Sequence, residues 1–118
     1  YTFSARTALP LGGPSIPLSS GYYTLKITGD SVIAYLPYYG RSYTAPINPN
    51  EGGIKFVSTR FDYAASPKEK GMWNIKIDTQ DTPQNSVLTL SVGESGYTTL
   101  IVTDNNRQSI SFYGEIER

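Results

Sequence analysis

The chain has 118 residues, of which ten are basic and ten acidic, so its formal charge at pH 7 is zero. Histidine and cysteine are both absent, which excludes a disulfide framework, zinc held by His or Cys, a thiol nucleophile and a Ser-His-Asp triad. The cations are scattered from Arg6 to Arg118 and form no basic stripe, so we expect no nucleic-acid partner.

The beginning of the chain predicts one strand followed by a loop. Tyr1, Phe3 and Ala5 alternate with polar residues, which is the period of a half-buried strand, and this strand is predicted to stop before Pro10. The stretch 11–17 contains two prolines, which lack the N–H that a central strand donates. We therefore expect a loop there that lies over one end of the fold.

The clearest local signal is a hairpin formed by residues 22–27 and 32–36. Apolar residues alternate with others over 22–27, residues 32–36 form a continuous apolar stretch, and the pair Gly29-Asp30 lies between them. Glycine adopts the positive φ of primed turns, so this pair predicts a tight connection between two antiparallel strands.

An aromatic, extended segment follows the hairpin. Pro37 predicts a bulge, an edge or a bend, and residues 38–43 continue with three tyrosines. The stretch 46–53 is dense in Pro, Asn and Gly, which predicts a loop.

The second half of the chain predicts strands joined by short loops. The first of these strands begins at Ile54 and is predicted to run as far as Tyr63. A charged loop over residues 64–71 follows it. Alternating apolar residues then predict strands over 73–78, 87–92, 97–103 and 110–116, separated by a polar loop at 79–86 and by turns at 93–96 and 104–106.

About eight strands with short connections, and no amphipathic helical run, predict an all-β domain. We expect an antiparallel meander that forms a small barrel or a two-sheet sandwich, since a parallel sheet would need crossover helices. Residues 1–118 are predicted as a single domain because no linker is long enough to separate a second core from the first. The pattern leaves open whether the strands around Phe3 and Phe112 pair to close the sheet.

The predicted ligand-binding surface consists of Tyr38, Tyr39, Arg41 and Tyr43, next to Tyr35. Tyrosine has an apolar ring and a polar tip, and exposed clusters of it often bind sugars, peptides or proteins. Arginine adds planar donors that stack on rings or bind a carboxylate. A purely structural role stays open here, because alternation also allows half of these rings to pack inward.

Acidic residues supply weaker candidates. Asp78, Asp81 and Asn85 offer oxygen ligands for calcium, but their spacing matches no EF-hand loop, so a solvated turn is the better interpretation. No two carboxylates are marked as the pair of a glycosidase. We therefore predict no catalytic residues, no metal and no cofactor, and we expect no enzyme activity, since acid–base catalysis uses histidine most often.

Several motifs resemble those of a known family. They are Gly29-Asp30, Leu36-Pro37-Tyr38-Tyr39-Gly40-Arg41, Gly52-Gly53, and residues 106–116 with the pattern Arg-x-x-Ile-x-aromatic-x-Gly-x-Ile. Over nearly the whole chain, they resemble the secreted domain-of-unknown-function proteins common in Bacteroidetes, many of which are made with a signal peptide or as lipoproteins.

The resemblance implies an extracytoplasmic β-rich domain, either periplasmic or held on the cell envelope as a lipoprotein, and it implies no particular activity, substrate or cofactor. The chain begins with Tyr1 in place of Met, so we expect a longer precursor. Removal of a signal peptide or of a segment with a lipid anchor would explain this start, and arbitrary trimming would explain it equally well. The sequence contains no run of about 18 apolar residues, so we expect no transmembrane segment.

Three functions stay open from the sequence. The leading hypothesis is a non-enzymatic module that binds a small molecule, a glycan or a protein through its tyrosines. The alternatives are a purely structural envelope module and a glycan-active enzyme that uses carboxylates and Tyr. A pocket of roughly a few hundred cubic ångströms lined by tyrosines would favour binding over a structural role.

Overall fold

The computed structural model describes residues 1–10, 14–18, 22–37, 54–67, 71–81, 86–103 and 109–117. These residues form ten β-strands and no α-helix, which confirms the all-β prediction. The strands are β1 (Thr2–Pro10), β2 (Ile16–Pro17), β3 (Thr24–Ile27), β4 (Val32–Leu36), β5 (Ile54–Ser58), β6 (Phe61–Pro67), β7 (Trp73–Thr79), β8 (Val87–Val92), β9 (Tyr97–Thr103) and β10 (Ile110–Glu117). Within these ranges, no helix is long and apolar enough to cross a membrane.

The described strands belong to one antiparallel sheet. Nine of them follow the order β5-β4-β3-β1-β10-β9-β8-β7-β6, and β2 pairs with β1 off this path. The strands at the two ends of the order, β5 and β6, are consecutive in the chain and are joined through Thr59 and Arg60. The sheet therefore curls into a nearly closed barrel, with its gap between β5 and β6.

Alternation along the strands places the apolar side chains inside the barrel. In β4, for example, Val32, Ala34 and Leu36 are buried whereas Ile33 and Tyr35 are exposed. The buried apolar side chains form one core cluster: Phe3, Ala5, Ala8, Leu25, Ile27, Val32, Ala34, Leu36, Ile54, Ile75, Ile77, Leu88, Leu90, Leu100, Val102, Ile110 and Phe112.

Strand β1 lies in the middle of the sheet, because it pairs with β10 on one side and with β3 on the other. Ala8 lies opposite Phe112, so the first and last strands do pair, although neither is an end of the sheet. The prediction that the first strand stops before Pro10 is wrong. Pro10 is the last residue of β1, where a missing N–H disturbs the hydrogen-bond ladder least.

A β-bulge interrupts β1 at Arg6. The register with β10 shifts between Ala5 and Thr7, so that Arg6 and Thr7 together face Tyr113. Because of this extra residue, Ala5 and Ala8 both point into the core although they are three positions apart.

The predicted hairpin between β3 and β4 is present, with Gly29-Asp30 at its tip. The predicted reason for it is wrong, since Gly29 does not have a positive φ. A backbone hydrogen bond and a bond to the Thr28 side chain close the turn in its place. The Thr28 N–H donates to the Ser31 carbonyl at 2.9 Å, and the Ser31 N–H donates to Thr28 Oγ1 at 3.1 Å.

Two predicted loops contain strands. Residues 16–17 pair with β1 as a two-residue edge strand, in which proline is tolerated. Residues 64–67, predicted as the start of a charged loop, belong to β6. Every residue from Asp62 to Pro67 is exposed, so after Phe61, which packs against the core, the sequence of β6 shows no apolar alternation.

Asp81 fixes the corner between β5 and β6. Its carboxylate accepts hydrogen bonds from the Ser58 hydroxyl, from the Thr59 N–H at 3.0 Å and from the Arg60 N–H at 3.1 Å. These hydrogen bonds hold the pKa of Asp81 below its ordinary value, and the bond from Ser58 has the largest effect. From the sequence, we considered this carboxylate as a calcium ligand. In the structure it accepts hydrogen bonds from backbone and hydroxyl groups.

Candidate functional site

The surface predicted from the sequence cannot be placed. Tyr38, Tyr39, Arg41 and Tyr43 all lie outside the residues that the structure describes. Their role in binding therefore stays a prediction.

The neighbouring Tyr35 belongs to an aromatic cluster on the outside of the sheet. Its ring stacks against that of Tyr23 with centroids 6.0 Å apart, and Tyr22 meets Tyr23 edge-on at 5.6 Å. The Lys55 ammonium lies 5.1 Å from the centre of the Tyr35 ring, within cation–π range.

A pocket of about 430 Å³ lies on the outer side of β8, β9 and β10. Its walls combine two phenol rings, a thioether, hydroxyl groups and one ion pair. The lining residues are Arg6, Met72, Ser91, Tyr97, Thr98, Thr99, Tyr113, Gly114 and Glu115.

Strand register brings the two tyrosines together. Tyr97 lies opposite Glu115, and Thr99 lies opposite Tyr113, so all four residues share the outer face and the two rings are diagonal neighbours. Tyr97 and Tyr113 are 68% and 53% exposed, which leaves both rings available to a ligand.

The turn before β9 sets the position of Tyr97. The Gly96 N–H donates to the Gly93 carbonyl at 3.0 Å, and the Gly93 N–H donates to the Tyr97 carbonyl at 2.9 Å. Gly96 has a φ of 90°, a left-handed conformation that glycine adopts without strain. The Gly96 carbonyl also accepts from the Ile116 N–H at 3.0 Å, which attaches this turn to β10.

The bulge in β1 supplies the cationic wall of the pocket. Arg6 Nη2 lies 3.9 Å from Glu115 Oε2, and both side chains are nearly half exposed. An exposed pair at this distance contributes little to stability. Both charged groups can therefore turn towards a ligand at small cost.

A second pair of tyrosines connects the start of the chain with β6. The hydroxyls of Tyr1 and Tyr63 are hydrogen-bonded at 2.8 Å. Burial, and then the bond to Tyr63, raises the pKa of the Tyr1 phenol well above its ordinary value. This phenol stays protonated near neutral pH.

Reasoning from the sequence missed the pocket residues. Tyr97 and Tyr113 lie in predicted strands. The feature of the sequence that could have identified them is an aromatic residue on the face of the strand that is otherwise polar. Their proximity depends on the register between β9 and β10, and that of Arg6 depends on a bulge, neither of which the sequence displays.

The family described as "Domain of unknown function (DUF4251)" matches residues 1–116. The chain belongs to this family. The match agrees with the resemblance to domains of unknown function, and it assigns no ligand or activity to DUF4251 domains.

A solved structure supports the same fold. The crystal structure of a DUF4251 family protein from Bacteroides eggerthii DSM 20697, determined at 1.95 Å resolution, has a TM-score of 0.69 with this chain. The two sequences are 14% identical, and the similarity covers 97% of this chain and 76% of that chain. At this identity the likeness shows the fold alone. No curated protein matches the chain.

Proposed function

We propose that this chain is a non-enzymatic, extracytoplasmic binding domain that takes a saccharide unit in the pocket beside Tyr97 and Tyr113. The pocket is the observation that carries the proposal. Its volume of about 430 Å³ falls within the usual range for small-ligand sites, roughly 300–1,000 Å³. A purely structural module does not need a pocket with two exposed rings.

The chemistry of the walls fits a sugar. A sugar ring has C–H faces that pack on aromatic rings and hydroxyls that both donate and accept. Tyr97 and Tyr113 supply rings, Arg6 supplies donors and Glu115 supplies acceptors. The hydroxyls of Ser91 and Thr99 add further partners.

Binding without turnover has its own support. Glu115 is the one carboxylate among the described lining residues, whereas a glycosidase uses two carboxyl groups on either side of the scissile bond. The extracytoplasmic location is supported by the resemblance of the sequence motifs to secreted and lipoprotein domains.

The test is a glycan array probed with the purified domain, followed by titration of the strongest-binding oligosaccharide. We expect Tyr97→Ala and Tyr113→Ala each to weaken binding at least about tenfold, because each removes an aromatic wall of the pocket. Tyr22→Ala is the matched control, since Tyr22 is 65% exposed but does not line the pocket. It should bind like the unmodified protein.

Two further variants compare the pocket with the surface predicted from the sequence. If Tyr38→Ala and Arg41→Ala abolish binding while Tyr97→Ala and Tyr113→Ala leave it unchanged, the pocket is not the binding site. If no saccharide binds at all, the binding proposal is wrong and a purely structural role is favoured.

A further inference from the structure

Strand β6 is exposed to an unusual degree for a seven-residue strand. It pairs with β7 on one side, and among the described residues no strand pairs with its other side. Asp62 to Pro67 are exposed, whereas Phe61 packs against the core and the Tyr63 hydroxyl is hydrogen-bonded to that of Tyr1. Tyr63 lies opposite the fully buried Ile77 and is nevertheless 44% exposed.

One hydrogen bond determines which backbone groups occupy the free edge. The Gln80 N–H donates to the Arg60 carbonyl at 2.8 Å, in line with the register of β6 and β7. Since backbone groups alternate sides along a strand, Asp62, Ala64 and Ser66 direct theirs towards β7. Phe61, Tyr63 and Ala65 therefore direct their N–H and C=O groups away from β7, along the free edge.

This edge has little protection against pairing. Soluble proteins usually block such edges with lysines, bulges or prolines within the strand. In β6, Pro67 comes at the very end, and the one charged residue is Asp62, whose carboxylate accepts a hydrogen bond from Gln80 Nε2 at 2.6 Å. The strand at the other end of the sheet, β5, is shorter and contains Lys55.

We propose that β6 pairs in antiparallel fashion with β6 of a second copy of this chain, forming a two-fold dimer with a continuous sheet. The two-fold axis passes through Ala64, because this register aligns all seven residues of both strands. Tyr63 then exchanges backbone hydrogen bonds with Ala65 of the second copy, and the Phe61 N–H meets the Pro67 carbonyl.

The side chains fit this register. A large residue faces a small one where Tyr63 meets Ala65, and Asp62 faces the neutral Ser66 of the second copy. A register shifted to centre on Asp62 would place two carboxylates directly opposite each other, which is unfavourable. The chain has no net charge, so two copies do not repel each other over long range.

Analytical ultracentrifugation over a range of micromolar concentrations tests the dimer. We expect a reversible monomer–dimer equilibrium, which Ala64→Lys shifts towards monomer by at least about tenfold because it sets two lysines opposite each other. Val57→Lys adds the same charge to an exposed position of β5 and should leave the equilibrium unchanged. A chain that stays monomeric throughout overturns the proposal, as does equal loss of dimer in both variants.

A cysteine introduced into this cysteine-free chain tests the register. Ala64 lies at a non-hydrogen-bonded site on the axis, where Cα atoms of antiparallel strands are about 4.5 Å apart and a disulfide can form. Ala64→Cys should yield a disulfide-linked dimer under mild oxidation, and Val57→Cys should not. Failure of Ala64→Cys to cross-link, with normal folding shown by circular dichroism, overturns the register centred on Ala64.

Discussion

Gly114 occupies a place where β10 has no room for a side chain. A Cβ built there would overlap the carbonyl oxygen of Ser4 and would lie 3.0 Å from Cε1 of Phe3. Both neighbours are buried, so neither can move aside into solvent. Glycine is required here because there is no room for a side chain, and not because of a special backbone conformation.

We therefore expect Gly114→Ala to lower the free energy of unfolding by about 2–3 kcal/mol, the upper part of the usual cost of overpacking. Urea denaturation followed by circular dichroism measures this. Gly29→Ala is the matched control, since an added Cβ there meets nothing within 4 Å, and its stability should stay within about 0.5 kcal/mol. Equal stability of the two variants would mean that β1 and β10 leave room for a methyl group at this position.

The carboxylate of Asp81 gives stability a defined pH dependence. Its pKa is lower in the folded protein than in the unfolded chain, so its stabilising effect is fully present above the unfolded value of about 4. That effect is lost as the pH falls through the folded pKa.

Asp81→Asn should consequently unfold at a lower urea concentration than the unmodified protein at pH 7, because the amide replaces a charged acceptor of four hydrogen bonds. The two midpoints should converge as the pH is lowered below 4. Glu94→Gln removes one charge from an exposed turn and serves as the control. A midpoint difference between Asp81→Asn and the unmodified protein that stays constant down to low pH would contradict this role of the carboxylate.

At the scale of the elements, we predict that amide hydrogen exchange alternates between fast and slow along β6. In the Ala64→Lys variant, which we expect to be monomeric, the amides of Phe61, Tyr63 and Ala65 face solvent and those of Asp62 and Ser66 donate to β7. NMR-detected hydrogen exchange should show the first set exchanging faster. Exchange at one uniform rate would disprove the assignment of the free edge.

The elements that the sequence predicts well are those with one buried face. In β4 and β9 every second residue is buried, and both strands lie where the sequence predicts them. The strand predicted over 54–63 is two strands, β5 and β6, and β6 continues to Pro67 because its exposed residues 64–67 have no apolar period that distinguishes them from a loop. Strand β2 was missed because two prolines within 14–17 favour a loop.

At the scale of the whole molecule, the all-β class follows from alternation and turn residues, but the strand order does not. Nothing in the sequence indicates that β1 lies between β3 and β10, or that β5 and β6 are the ends of the sheet. The pocket has the same limitation, because it exists only where the β1 bulge, β9 and β10 meet. Its residues are far apart in the chain, from Arg6 to Glu115.

The central position of β1 also determines when the protein can fold. Thr2 pairs with Glu117, so nearly the whole chain must be synthesised before β1 finds its partner on that side. Pairings between such distant residues close late and slowly, because a long loop must be ordered first. Until β10 is synthesised, β1 has no partner on that side, and Phe3, Ala5 and Ala8 lack part of the packing that buries them in the folded protein.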